Sequence, residues 1–342
     1  MVANTGGASD ELTIHSLRKT LSQYAKPELR QAISQMINTF IPYFALWLIL
    51  VYLVEHKYPV VGIVALIFIA SLFLVRIFIF FHDCSHGSFF ASQRANTILG
   101  YVSGILTFTP FTYWQHNHLV HHGTYADLDH RGVGDIWTLT VDEYRASSKW
   151  MQVAYRLYRN PLIFLGIGPG YSFLITQRFL HLWEGKNERF SAAVTNLIIL
   201  MIILAATLTI GLRTYVLIQL PIILIAGGIG VWLFYVQHQF EGVYWSRHEN
   251  WDPLKAALKG SSYYKLPKVL QWFTGHIGLH HVHHVLPRIP NYNLQQCYEA
   301  SAVMQEVMPL TLRRSLRSVH LNLWDEKQQK LVSLSSLKNQ AL

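Results

Sequence analysis

Four long apolar runs divide the chain, at roughly 37–54, 58–81, 192–212 and 215–235. Each is close to the ~20 residues that cross a bilayer core as an α-helix. Only "EHK" separates the first two and only "RT" the last two, so they read as two helical hairpins, each entering and leaving on one side. Two weaker runs, "TILGYVSGILTFTPF" (97–111) and "PLIFLGIGPGYSFLI" (161–175), are short or broken by proline and glycine, and are expected to lie at the interface or to re-enter. The polar remainder falls into the segments 82–191 and 236–342. The pattern predicts an all-α integral membrane protein, one domain over 1–342, with four transmembrane helices and a helical cap built from both polar segments.

Composition agrees. Apolar residues make up 51% of the chain and charged residues 14%, well below the roughly 25% of soluble domains. Two cysteines, Cys84 and Cys297, exclude a disulfide framework and a four-cysteine zinc site. Lys and Arg number four in 1–36, nine in 82–191 and twelve in 236–342, whereas the tight connectors hold only Lys57 and Arg213. The positive-inside rule therefore puts both termini and the cap in the cytoplasm. The net charge of +9 follows from this asymmetry and marks no nucleic-acid surface. Arg76, inside the second run, is expected to snorkel to the interface.

The candidate chemistry lies in the histidines. His82 and His86 stand at i, i+4 where the second run ends. His118, His121 and His122 stand at i, i+3, i+4, and His280, His283 and His284 repeat that spacing. Residues three and four apart share a helix face, so each cluster aims two or three imidazoles at one point. His238, just past the fourth run, falls on the same side. Nine imidazoles exceed the needs of one ion and suit two. An all-nitrogen set with open positions favours redox iron, while spacing alone leaves copper open. His15, His56, His248 and His320 read as surface residues, His181 as interfacial, and His281 as lying off the ligand face. Asp83, Asp127, Asp129, Asp135 and Glu241 could accept from the far ring nitrogens. There is no glycine-rich dinucleotide fingerprint, so electrons for redox chemistry must come from another protein.

The boxes HxxxH, HxxHH and HxxHH, with "HDCSHGSFF", "DLDHRGVGDIW", "WLFYVQHQFE", "GSSYYKLPKVLQWFTG" and "HHVLPRIPNYNLQ", resemble the membrane fatty acid desaturases, most nearly bacterial acyl-lipid desaturases of the Δ5 type. The resemblance covers roughly 75–300. It implies oxygen-dependent insertion of a cis double bond into saturated acyl chains of membrane lipids, two iron ions, and a bacterial-type plasma membrane. It implies His82, His86, His118, His121, His122, His280, His283 and His284 as ligands, with His238 as the additional one, and ferredoxin or flavodoxin as donor. Asparagine is usual in that family where His276 stands, which implies a supporting role for His276, four residues before His280 on the same face if the helix continues. His116, Asp83, Asp135 and Glu241 are further candidates for support around the metals. The competing readings are a related di-iron hydroxylase, ketolase or alkane monooxygenase, and a histidine-rich metal transporter. Transporters usually place polar ligands within their spans, which are nearly free of ionisable groups here.

Overall fold

The computed structural model describes residues 13–179 and 184–337. A short helix, α1 (Ile14–Leu21), precedes α2 (Leu29–Glu55) and α3 (Val60–Ser85), and α4 (Gln93–Leu106) and α5 (Phe111–Thr124) follow. A second long pair is formed by α6 (Lys186–Thr209) and α7 (Leu212–His238). Helices α2, α3, α6 and α7 are long and apolar enough to cross a membrane. Two short cap helices, α8 (His280–Val285) and α9 (Asn291–Ala300), complete the elements that matter for the site. The architecture is that of an all-α integral membrane protein.

The spanning helices outrun the apolar runs at the cap end. α2 and α6 begin earlier than the runs suggest, at Leu29 and Lys186, and α3 and α7 end later, at Ser85 and His238. Hydropathy marks only what lies in hydrocarbon, whereas a helix of 27 residues is about 40 Å long against a core of about 30 Å. The surplus turns carry His82 and His238 out of the apolar layer and into the cap. At the other end the third spanning helix stops short of the apolar run. α6 stops at Thr209, Gly211 turns the chain at φ +81°, and Leu212 already opens α7. Glycine adopts that backbone without steric cost.

α3 is the central helix, packed against α2, α4 and α7. α2 instead turns Ile37, Ile41, Phe44, Leu48 and Tyr52 outward, an exposed stripe that suits lipid. The weak runs do not span. α4 has 14 residues, about 21 Å, and lies along α3. The run at 161–175 forms a π-turn at Ile163–Ile167 and a helix at Gly168–Leu174 against α7. The cap also contains small strands: β1 (Leu139–Thr140) runs parallel to β4 (Leu323–Asp325), which pairs antiparallel with β5 (Lys330–Val332), while β2 (Tyr263–Lys265) runs parallel to β3 (Pro309–Thr311). His181 lies outside the described residues.

Arg76 does not snorkel. It is 2% exposed and turns inward. Its Nε donates to Thr39 Oγ1 at 3.0 Å, its Nη1 donates to the Trp272 carbonyl, and the guanidinium lies 4.0 Å over the Trp272 ring. Snorkelling needs a free path to the headgroups, and the cap segment at Lys268–Phe273 closes that path. Arg76 thus joins the membrane helices to the cap. Charge-assisted hydrogen bonds contribute about 1.5–3 kcal/mol each. We expect Arg76→Ala to lower the melting temperature in detergent, and Arg76→Lys to recover only part of it, because an ammonium cannot serve both acceptors and stack on the indole. A Lys variant as stable as the parent would contradict this.

Candidate metal centre

The last turn of α3 supplies His82, and His86 caps its C-terminus. α5 supplies His118, His121 and His122, α7 ends at His238, and α8 carries His280, His283 and His284. Their Nε2 atoms converge. His118 lies 3.0 Å from His86 and 3.1 Å from His122, and His283 lies 3.0 Å from His122. His238 lies 3.2 Å from His121 and 3.0 Å from His280, which is 3.0 Å from His284. Two adjoining groups result. His82, His86, His118, His122 and His283 surround one point, and His121, His238 and His284 a second, with His280 beside that second group.

These distances test whether metal ions fit. Two imidazoles at right angles on an ion about 2.1 Å away stand about 3.0 Å apart, and tetrahedral ligands stand further apart, at about 3.4 Å. The spacing suits ions with more than four positions. The His82 Nε2 is buried without a partner among the described residues. Burial, and then the neighbouring imidazoles, holds His86, His118, His122, His280, His283 and His284 well below the ordinary histidine pKa. They are neutral at pH 7, the form that binds metals. Neutral rings aimed at one another can share only a few protons, so most of the lone pairs need a cation.

Supporting contacts fix several rings. His82 Nδ1 lies 3.1 Å from Asp83 Oδ1, and Asp83 Oδ2 accepts from the backbone N and Nδ2 of Asn291 at 2.7 and 2.8 Å. His121 Nδ1 lies 2.6 Å from Asp135 Oδ1, and His238 Nδ1 lies 3.2 Å from the Gly260 carbonyl. Trp114 stacks on His118 at 4.2 Å, and the Tyr125 ring meets His284 at 4.0 Å. The backbone approaches closely beneath α8, where Tyr264 N donates to the Gly278 carbonyl at 2.6 Å and a Cβ on Gly278 would stand 2.3 Å from the Tyr264 oxygen. Glycine is required there.

A fatty acid desaturase family model matches residues 57–312. The chain belongs to the fatty acid desaturase family. It is 48% identical to a fatty acid desaturase of Bacillus subtilis over 94% of this chain and 91% of that protein. It is 27% identical to an sn-1 oleoyl-lipid 12-desaturase of Picosynechococcus over 68% of this chain and 66% of the relative. This desaturase is therefore an enzyme acting on fatty acyl chains of lipids.

Of the supporting residues expected from sequence, Asp83 lies against His82 and Asp135 against His121. His116 is exposed, 3.9 Å from Glu188. It sits two residues before His118, and residues two apart in a helix face different ways. Glu241 is exposed beyond the end of α7. Asp127 and Asp129 face His130, His248 and Arg247 instead of the desaturase centre. His276 is not on a helix continuing into His280. It occupies a turn at φ +56° after Gly275 at φ +52° and stands apart from both histidine groups. Burial, then the nearby Arg76, lowers its pKa. A left-handed backbone favours asparagine over histidine, which gives the asparagine usual in the resembling family a backbone rationale. His281 is fully buried off the ligand face, with Nε2 3.1 Å from the Met304 carbonyl. Asn291, Trp114, Tyr125 and the Gly260 carbonyl were not anticipated.

We expect His280→Asn to lose metal, while His276→Asn and His281→Asn retain it, as read by elemental analysis of purified protein. Loss from His276→Asn equal to that from His280→Asn would make His276 a ligand. Asp135→Asn should lower metal affinity or activity by about 10–100-fold without abolishing it.

Proposed function

We propose that this enzyme is an oxygen-dependent acyl-lipid desaturase whose nine histidines, His82, His86, His118, His121, His122, His238, His280, His283 and His284, hold two iron ions. The observation that carries this reading is the division of the histidines into adjoining groups, in which the Nε2 atoms of all but His82 stand 3.0–3.2 Å from a neighbour and His82 joins the first group. An iron pair supplies, when bound, the dioxygen chemistry needed to remove hydrogen from an unactivated methylene, which has neither an acidic proton nor a leaving group.

The chain's own residues do the rest. Asp83, Asp135 and the Gly260 carbonyl accept from Nδ1–H of His82, His121 and His238, which fixes the tautomer that turns Nε2 inward. Trp114, Tyr125 and Phe234, whose ring lies 5.2 Å from that of His121, wall the centre with apolar surface and exclude water. The ends of α3 and α7 hold the centre at the edge of the apolar layer, where a lipid acyl chain can reach it. Ligands come from both halves of the sequence, which supports reading 1–342 as one functional domain.

The cap and both termini face the cytoplasm of a bacterial-type plasma membrane in this reading, supported by the placement of nearly all Lys and Arg on the cap side. The same basic face would attract an acidic ferredoxin or flavodoxin. Expression in a host lacking the unsaturation, followed by mass-spectrometric mapping of double bonds, tests the activity. We expect new alkenes at one position. Alcohols in place of alkenes would move the enzyme to the hydroxylases. Purified protein should contain two irons per chain, and full activity with zinc alone would rule out iron. Cysteine reporters near residues 125 and 290 should label from the same, cytoplasmic side.

A further inference from the structure

Away from the nine histidines, another set of metal-ligating groups converges. Asp127 Oδ2 lies 2.7 Å from His130 Nδ1 and 2.8 Å from His248 Nδ1. The two imidazoles meet edge to face at 4.5 Å. The carboxylate is buried, whereas the histidine side chains are 51% and 62% exposed. A buried anion thus forms the floor of a site whose histidines open to water.

The frame around this trio is built from other contacts. Leu128 N donates to the Ser246 carbonyl at 2.8 Å, and Ser246 N donates to the Ala126 carbonyl at 3.0 Å, which ties the loop after α5 to the segment after α7. Asp129 accepts from His248 N at 2.9 Å and from Arg247 at 2.6 Å, and Arg247 also pairs with Glu326 at 2.8 Å. Arg131 pairs with Glu143. The nearby cations are therefore neutralised by other carboxylates, and Asp127 is left to face the histidines. Burial raises its pKa, but hydrogen bonds from His248 and His130 outweigh that and hold it below the ordinary carboxylate value.

Two imidazoles and one carboxylate, with solvent on the open side, suit a divalent first-row ion that keeps water at its remaining positions. We propose that Asp127, His130 and His248 form a separate divalent-metal site that takes Zn2+ or a similar ion and braces these two loops. Tyr125, two residues before Asp127, packs on His284 at 4.0 Å, and its carbonyl accepts from Trp251 Nε1 at 3.1 Å. An ion here would hold that aromatic wall in place without touching the reacting centre.

The test compares untagged full-length protein in detergent with a His130→Ala/His248→Ala double variant. Both are stripped with chelator, equilibrated with Zn2+ and measured by elemental analysis. The double variant should bind one Zn2+ fewer per chain, and Zn2+ should raise its melting temperature less than that of the parent. Because both rings are half exposed, the double variant should fold, as circular dichroism and gel-filtration elution would check. Should it not, His248→Gln, which keeps a polar side chain, should weaken the same Zn2+ site at least tenfold. His280→Asn should leave the site intact. The difference of one ion does not depend on what the nine-histidine centre holds, so its failure would leave the desaturase reading standing. Equal Zn2+ content in parent and variant would overturn the proposal and reduce the trio to a hydrogen-bonded clamp.

Discussion

Mutual repulsion among nine inward-facing imidazole lone pairs is the constraint on which the rest of the cap depends. Rings with Nε2 atoms 3.0–3.2 Å apart stay together only if the surrounding structure overrules that repulsion or a cation removes it. Each element around the site serves one of these ends. Four helices bring the rings from different directions, so no single backbone has to bend to gather them. Asp83, Asp135 and the Gly260 carbonyl accept from the outer nitrogens. Trp114, Tyr125 and Phe234 pack against the rings and limit how far they can swing apart.

The membrane helices are the foundation for this arrangement. They continue beyond hydrocarbon thickness at the cap end, and the surplus turns of α3 and α7 carry His82 and His238. Arg76 then fastens the cap segment around Trp272 to the helix pair. A group that looks costly in a spanning helix thereby becomes the joint between the apolar and polar halves of the molecule.

Much of this was legible in the chain, and what was missed has physical causes. Helix number followed from apolar length, but helix ends did not, because hydrophobicity is silent about turns stabilised in the cap. The boxes could be read because i, i+3 and i+4 define a face independently of the fold. The same rule places His116, two residues before His118, off that face, and it is exposed. His276 would share a face with His280 only if a helix ran through Gly278, and the chain turns there instead, with Gly275 and His276 both at positive φ. Asp83 could be suspected from its neighbour His82, yet its other partner, Asn291, is 208 positions away, and no local pattern points to it. The inward turn of Arg76 is not legible locally, because a cap segment closing over a membrane helix leaves no trace in that helix's own sequence.

The contact between His122 and His283 joins residues 161 positions apart. During synthesis the earlier boxes therefore emerge and wait, half-assembled, until nearly the whole chain has been made and both hairpins inserted. An incomplete cluster of imidazoles binds whatever divalent ion arrives first, and copper and zinc outrank iron in intrinsic affinity. For the iron pair proposed above, the order in which the chain is made would expose the site to loading with another metal before iron, and would make the supply of metal at the moment of folding part of what determines activity.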